Sequence, residues 1–265
     1  TVLRIGPSGG RAHGSKSAQS RSIIGRGFSE FVAQASATSV IFLDTSMSIY
    51  EQGLAQNLAN FTPLSPLSFL RRAASIYPDK TAVIQHQRRL TWGEVFDRCQ
   101  RFAAALSKRG IGKGDTVAIL SANTPEMFEA HFGVPMAGCV LNTINTRVET
   151  ETIAYILENS DCRLLIVDTA FAPTVGPALE ALPADVRARI RVGDIRDPAM
   201  GDLPPIGDED YESFIAAGDQ DFAWQMPSDE WQALALGYTS GTSGRPKGVV
   251  YHHRGSYLMS LSLIH

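Results

Sequence analysis

Between Thr81 and Val167, short β-rich apolar runs alternate with stretches whose apolar residues recur every three or four positions, and no other feature narrows the fold as far. Thr81 to Gln85 reads as a strand, and Gln87-Arg88-Arg89 as a turn. Thr91-Trp-Gly-Glu94 then has the spacing of a capping box, in which a hydroxyl and a carboxylate each satisfy a free amide at a helix start. The helix it opens carries Val95, Phe96, Cys99, Phe102, Ala103 and Leu106 on one face. Gly110 supplies a left-handed exit. Thr116 to Leu120 is the next strand. Thr124-Pro125-Glu126 starts a helix with a cap, a first-turn proline and a first-turn acid, and it runs to Ala137. Val140 to Asn142, a helix near Glu151 to Glu158 and Leu164 to Val167 continue the pattern. The last run has almost no polar interruption, as expected where helices cover both faces of a sheet. The class predicted is α/β, with a largely parallel sheet flanked by helices. A turn-rich stretch from Asn60 to Pro66 and a short helix from Leu67 to Tyr77 precede it.

Composition removes several function classes. The 24 Lys+Arg and 27 Asp+Glu leave a net charge of −3, so no global basic field recommends nucleic acid as a partner. The three cysteines, Cys99, Cys139 and Cys162, are odd in number and widely spaced, which suits small buried residues in a reducing compartment better than a disulfide framework or a zinc site. No apolar run reaches the ~18 residues a membrane-spanning helix needs, so a soluble, cytoplasmic protein is expected. Residues 1–46 hold five basic and two acidic residues, nine serines and six glycines, whereas 47–265 carry a net charge of −6. The first segment is expected to be a disordered leader: either a transit peptide, which would make the protein mitochondrial, or non-native sequence upstream of a start at Met47. The stretch from Asp194 to Glu230 has eleven acidic residues and one basic residue, Arg196, and reads as a solvated connection. The first residue is Thr, and the apolar helix from Leu258 to His265 lacks an exit signal, so both ends look cut.

Chemistry concentrates in Ala233-Leu-Ala-Leu-Gly-Tyr-Thr-Ser-Gly-Thr-Ser-Gly-Arg-Pro-Lys-Gly-Val-Val-Tyr251, where a strand runs into a loop of glycines and hydroxyls and then into a second strand. Glycines let backbone amides turn toward an anion. The hydroxyls of Thr239, Ser240, Thr242 and Ser243 can donate to its oxygens, and Lys247 adds a compact positive charge. A Walker-type loop is excluded, because only two residues separate Gly241 from Gly244, where four are needed, and Gly248 stands where a magnesium-binding hydroxyl would follow Lys247. The dinucleotide fingerprint is excluded too, since its glycine spacing is absent and a strand follows the loop.

Tyr238-Thr-Ser-Gly-Thr-Ser-Gly-Arg-Pro-Lys-Gly248 resembles the signature of the adenylate-forming, acyl-activating enzyme superfamily. Leu90-Thr-Trp-Gly-Glu94, Ala137-Gly138 and Asn145-Thr-Arg147 resemble its earlier elements in the same order, with Thr146 in place of the usual Pro. Asp221 to Trp231 and Val249-Val-Tyr-His-His-Arg-Gly255 are similar to bacterial fatty- or medium-chain acyl-CoA synthetases. The resemblance covers residues 60 to 265. It implies the N-terminal portion of an AMP-binding (adenylation) domain in 47–265, cut before the rest of the domain and its C-terminal lid, and inactive alone. The implied activity is ATP-dependent ligation of a fatty or other carboxylic acid to CoA through an acyl-adenylate. Alternatives are an adenylation domain that loads a carrier protein, and a truncated, non-catalytic nucleotide-binding module. ATP, Mg²⁺ and CoA are implied as cofactor and co-substrates. Thr239, Ser240, Gly241, Thr242, Ser243 and Gly244 would wrap the β- and γ-phosphates, and Lys247 would neutralise the departing pyrophosphate. The magnesium ligand, the adenine and ribose contacts and the C-terminal lysine would lie beyond His265.

Other tempting residues read as structural. His252 and His253, adjacent on a strand, would point to opposite faces and not ligate together. His253 falls on a His common in the family and reads as a packing or anchoring group. His131 reads as a hydrogen-bonded helix residue, and Trp224 and Trp231 as core or surface cover.

Overall fold

The computed structural model describes residues 4–5, 48, 50, 52–196, 203–239 and 244–263. Two compact units are present, one of residues 1–7 and 63–265 and one of 8–62. Within the second, the described feature is a turn in which Asn60 and Phe61 amides donate to the Asn57 carbonyl and the Asn60 carboxamide accepts from the Asn57 amide at 2.8 Å. The leader expectation for 1–46 lies outside the described residues apart from Arg4 and Ile5.

The larger unit is built from β1 (Arg4–Ile5), α1 (Leu67–Ile76), the hairpin β2 (Thr81–Gln85) and β3 (Arg88–Thr91), α2 (Trp92–Lys108), β4 (Thr116–Leu120), α3 (Pro125–Met136), β5 (Val140–Thr143), α4 (Thr150–Asn159) and β6 (Cys162–Asp168). It continues with α5 (Ala172–Glu180), α6 (Ala184–Arg187), β7 (Arg191–Ile195), β8 (Glu209–Asp210), α7 (Tyr211–Ala216), β9 (Ala233–Thr239), β10 (Lys247–His252) and α8 (His253–Ser262).

Local signals work as the sequence predicts. The Thr91 hydroxyl accepts from the Glu94 amide at 3.2 Å, and the Glu94 carboxylate accepts from the Thr91 amide at 2.7 Å, so α2 starts on a complete capping box. It ends at Gly110 with φ +72°, a conformation that costs a Cβ-free residue little. One local reading is corrected. The turn falls at His86–Gln87, and Arg88 and Arg89 belong to β3, because pairing with Gln85 and Ile84 satisfies backbone groups that a longer turn would leave open.

The main sheet has the order β1-β10-β9-β5-β4-β6-β7-β8, with β9 through β8 parallel and β10 and β1 antiparallel at one edge. The chain steps from β4 sideways to β5, then crosses back over β4 to β6. Right-handed crossovers place the connecting helices of these two steps on opposite faces. The side chains agree: Val117, Ile119, Leu141 and Ile166 pack against Phe102 of α2, Ala130 and Val134 of α3 and Phe214 of α7. Ala118, Leu120, Leu165 and Val167 pack against Ile153 and Leu157 of α4 and Val175 and Leu179 of α5. Every residue of β4 is buried, as a strand covered on both faces requires.

The acidic stretch is not simply a solvated connection. Tyr211, Phe214 and Ile215 enter the core. Asp194 is fully buried and accepts from the amides of Ile206 and Gly207, and Glu209 takes both its oxygens to Arg109. Composition misleads here because some of these carboxylates have specific donors, Asp194 in backbone amides of its own stretch and Glu209 in Arg109, so part of the charge is paired rather than hydrated.

Candidate functional site

Strand β9 is parallel to β5, through Leu141 opposite Ala235 and Asn142 opposite Leu236, so its last residue, Thr239, lies at the carboxyl edge of the sheet. The connections leaving β4 and β5 diverge to opposite faces, and in open α/β sheets such a divergence opens a crevice outside the carboxyl ends. The glycine- and hydroxyl-rich loop springs from that edge. A cavity of about 530 Å³ lies against it, lined by Thr143 at the end of β5, by Asn145 and Arg147 after it, by Tyr238 and Thr239 of β9, and by Pro246. The Asn145 carboxamide accepts from the Arg147 amide at 2.9 Å and holds the turn in place.

Of the sequence-predicted site residues, Thr239 and Lys247 face each other as the closing pair of the β9–β10 hairpin, and both are exposed. Gly244 has φ +134°, a backbone state that side-chain-bearing residues rarely adopt. Ser240, Gly241, Thr242 and Ser243 lie outside the described residues. The geometry therefore sets the two ends of the loop: a hydroxyl on one strand, an ammonium on the other, and a chain reversal at the mouth of a crevice.

Helix α4 holds this hairpin from below. The Tyr238 hydroxyl donates to the Asn159 carboxamide at 2.8 Å, and the Tyr155 ring meets the Tyr238 ring edge-on at 6.4 Å. Burial, with Tyr155 close by, pushes the Tyr238 phenol above its ordinary range, so it stays a neutral donor. The Arg245 guanidinium sits over the Tyr155 ring at 5.1 Å. Sequence reasoning missed Tyr155 and Arg245. The helical spacing of Tyr155 marks it as a packing residue, and no local pattern names its partner.

The histidine pair straddles a strand end and a helix start, not one strand. His252 caps α8, its Nδ1 accepting from the Gly255 amide at 3.0 Å, and it stacks on Trp231 at 4.4 Å. His253 is buried, with Nδ1 2.8 Å from the Ser65 hydroxyl. Burial, together with His252, lowers its pKa to about 4. Because β10 runs antiparallel, His253 lies at the amino edge of the sheet beside Ala233 and Gly138, six residues and on the order of 20 Å from Lys247. His131 is exposed and bonds the Met127 carbonyl at 2.7 Å. Trp224 packs edge-on against Phe96, whereas Trp231 is largely exposed. Cys99, Cys139 and Cys162 are free and buried, and burial pushes the latter two thiols up to about 12. Among the described residues no group of His, Cys, Asp or Glu converges to hold a metal ion, and no helix is long and apolar enough to cross a membrane.

Residues 70–264 match the family model described as AMP-binding enzyme. Among curated proteins, the acetate/butyrate–CoA ligase AAE7, peroxisomal, of Arabidopsis thaliana is 44% identical over 212 residues, which are 77% of this chain and 37% of that protein. The acetate–CoA ligase CCL3 of Humulus lupulus is 44% identical over 217 residues, 79% of this chain and 38% of that protein. The chain thus spans less than two fifths of these relatives' length. Among solved structures, the anthranilate CoA ligase AuaEII in complex with anthranoyl-AMP shares the fold, with a TM-score of 0.65 at 24% identity over 75% of this chain and 37% of that one. The N-terminal domain of FACL13 from Mycobacterium tuberculosis gives a TM-score of 0.59 at 27% identity over 72% of this chain and 44% of that one. With a signature loop at the carboxyl edge of a doubly wound sheet and a family match over most of its length, the chain belongs to the AMP-binding enzyme family.

Proposed function

We propose that the protein is an ATP-dependent carboxylic acid:CoA ligase, and that residues 47–265 form the first part of its adenylation domain, with residues 1–46 a leader or upstream extension. The observation that carries this reading is the pairing of Thr239 with Lys247 at the mouth of the crevice, which brings hydroxyl and ammonium to one place on the carboxyl edge. A carboxylate oxygen of the acid attacks the α-phosphorus of ATP, and the bond to pyrophosphate breaks. The CoA thiol then gives up its proton, forms a carbon–sulfur bond at the acyl carbonyl and displaces AMP. The loop residues Thr239 to Gly244 hold the β- and γ-phosphates. Lys247 compensates the charge that builds on the leaving pyrophosphate, the kind of fixed electrostatic support that dominates phosphoryl chemistry.

Magnesium, which the resemblance implies, finds no ligand set among the described residues, and no step is assigned to it. Relatives named for acetate and butyrate make a short-chain acid the first substrate to test. The 265 residues alone are proposed not to turn over, since relatives carry more than twice this length. The proposed compartment is cytoplasmic, or mitochondrial if residues 1–46 are a transit peptide. Relatives with peroxisomal names make imaging of the tagged protein the check.

The test is ATP–pyrophosphate exchange with acetate, butyrate and longer acids, on the protein from the complete reading frame. Lys247→Ala should lower kcat/KM for ATP by about 10²-fold, within the range for removing one transition-state donor, and should leave the melting temperature unchanged because the side chain is exposed. Exchange at the unaltered rate would remove Lys247 from the mechanism. Nucleotide binding without exchange for any acid would favour a non-catalytic module.

A further inference from the structure

We propose that Tyr155 is a positioning residue for the loop: its ring holds the Arg245 guanidinium and so fixes where Lys247 enters the crevice. This rests on the reading of the loop as the ATP site and adds to it a residue from a separate element. Helix α4 presents Tyr155 and Asn159 one turn apart, hence on one face. Asn159 takes the Tyr238 hydroxyl on the strand that leads into the loop, and Tyr155 takes Arg245 on the limb that leads out. The two aromatic rings meet edge-on, so both limbs share one support.

Arg245 is separated from Lys247 by Pro246 alone, whose ring fixes φ and passes the placement on with little slack. A second cavity of about 640 Å³ flanks the contact, lined by Tyr155, Glu151 and Glu158 of α4 and by Gly244, Arg245 and Pro246. Arg245 lies over the helix and lines this second cavity, whereas Thr239 lines the crevice cavity and Arg245 does not. In that position the side chain anchors the outgoing limb and leaves the exposed Lys247 as the basic side chain of the hairpin opposite Thr239.

The experiment uses the protein from the complete reading frame, with Tyr155→Leu, Tyr155→Phe, Arg245→Met and the double change Tyr155→Leu with Arg245→Met. ATP affinity by calorimetric titration and KM for ATP and for acid by pyrophosphate exchange are read for each. Losing a partly exposed cation–π contact should weaken ATP binding and raise its KM about threefold to fivefold, with the KM for acid unchanged. Tyr155→Phe, which keeps the ring face, should restore the affinity, and the double change should be no weaker than either single one. Wild-type ATP affinity in folded Tyr155→Leu, additive losses in the double change, or failure of Tyr155→Phe to restore binding would each overturn the proposal. A wild-type protein that binds ATP without pyrophosphate exchange would sink the ligase reading, while the affinity series still decides Tyr155. A wild-type protein that binds no ATP would overturn both.

Discussion

His253 shows how one buried side chain couples the fold to pH. Its ring is bonded to Ser65, and burial, together with the neighbouring His252, disfavours the protonated form, hence the low pKa of about 4. An unfolded chain titrates this group near 6.5, so between about 6.5 and 4 the unfolded state binds a proton that the native state refuses. Stability from this group is therefore complete above 6.5 and falls as pH drops to 4, by up to about 3 kcal/mol, because each tenfold difference in proton affinity between the two states is worth about 1.36 kcal/mol. The melting temperature should decline over that window, and His253→Gln should flatten the decline. An equally steep profile in the variant would assign the acid sensitivity elsewhere. The neighbouring His252, spent on a helix cap, resembles His253 in sequence alone. Nothing local distinguishes the two, since Ser65 is 188 residues away from His253.

At the scale of elements, α7 docks on α2 with almost no space between the backbones. A Cβ added at Gly218, just past α7, would lie 1.9 Å from the Arg101 carbonyl oxygen, and the Lys108 ammonium donates to the Ala217 carbonyl at 2.8 Å. Gly218→Ala must push the helices apart and should cost about 1–3 kcal/mol, read from urea unfolding, as for other overpacked sites. A cost within ±0.5 kcal/mol would mean that this contact is soft. Periodicity and caps located α2, α3, α4 and β4 to within a residue or two because those signals lie inside each element. Strands β7 and β8 and helices α5 to α7 were illegible for the opposite reason. Helix α5 opens without a side-chain cap and carries Pro177 inside it, β7 reads Arg-Val-Gly-Asp-Ile with no apolar run, and α7 sits in a stretch whose charge resembles solvated chain until its tyrosine, phenylalanine and isoleucine are seen against the sheet.

Across the whole molecule, a charged network ties α2, α3, α7 and β3 together. Arg98 meets Glu129 at 2.6 Å and Glu212 at 2.7 Å, Arg88 meets Glu126 at 2.6 Å and Glu212 at 3.2 Å, and the Tyr211 hydroxyl donates to Glu129 at 2.9 Å. The two carboxylates on Arg98 respond in opposite directions. Glu212 keeps much of its water, and the hydrogen bond to Arg98 draws its pKa down. Glu129 has none, and burial outweighs Arg98 and Tyr211 to push its pKa up. Arg98→Met would strand that buried carboxyl and should cost about 3–5 kcal/mol in chemical unfolding, with Glu129→Gln costing less than half as much. Equal losses would show that the charge pair itself, rather than the stranded partner, carries the effect.

The sequence by itself determined the parallel α/β class, most helix starts and the composition of the loop between β9 and β10, because each is written in neighbours a few residues apart: a period, a cap, a run of glycines and hydroxyls. The tertiary structure alone decided the rest. It set the crossover that sends α3 and α4 to opposite faces and opens a crevice at Thr239, the grip of Tyr155 on Arg245 ninety residues on, and the donors that bury Asp194 and Glu129. Those depend on which surfaces the folded chain brings together, and side chains far apart in sequence acquire partners only once the sheet has ordered its strands.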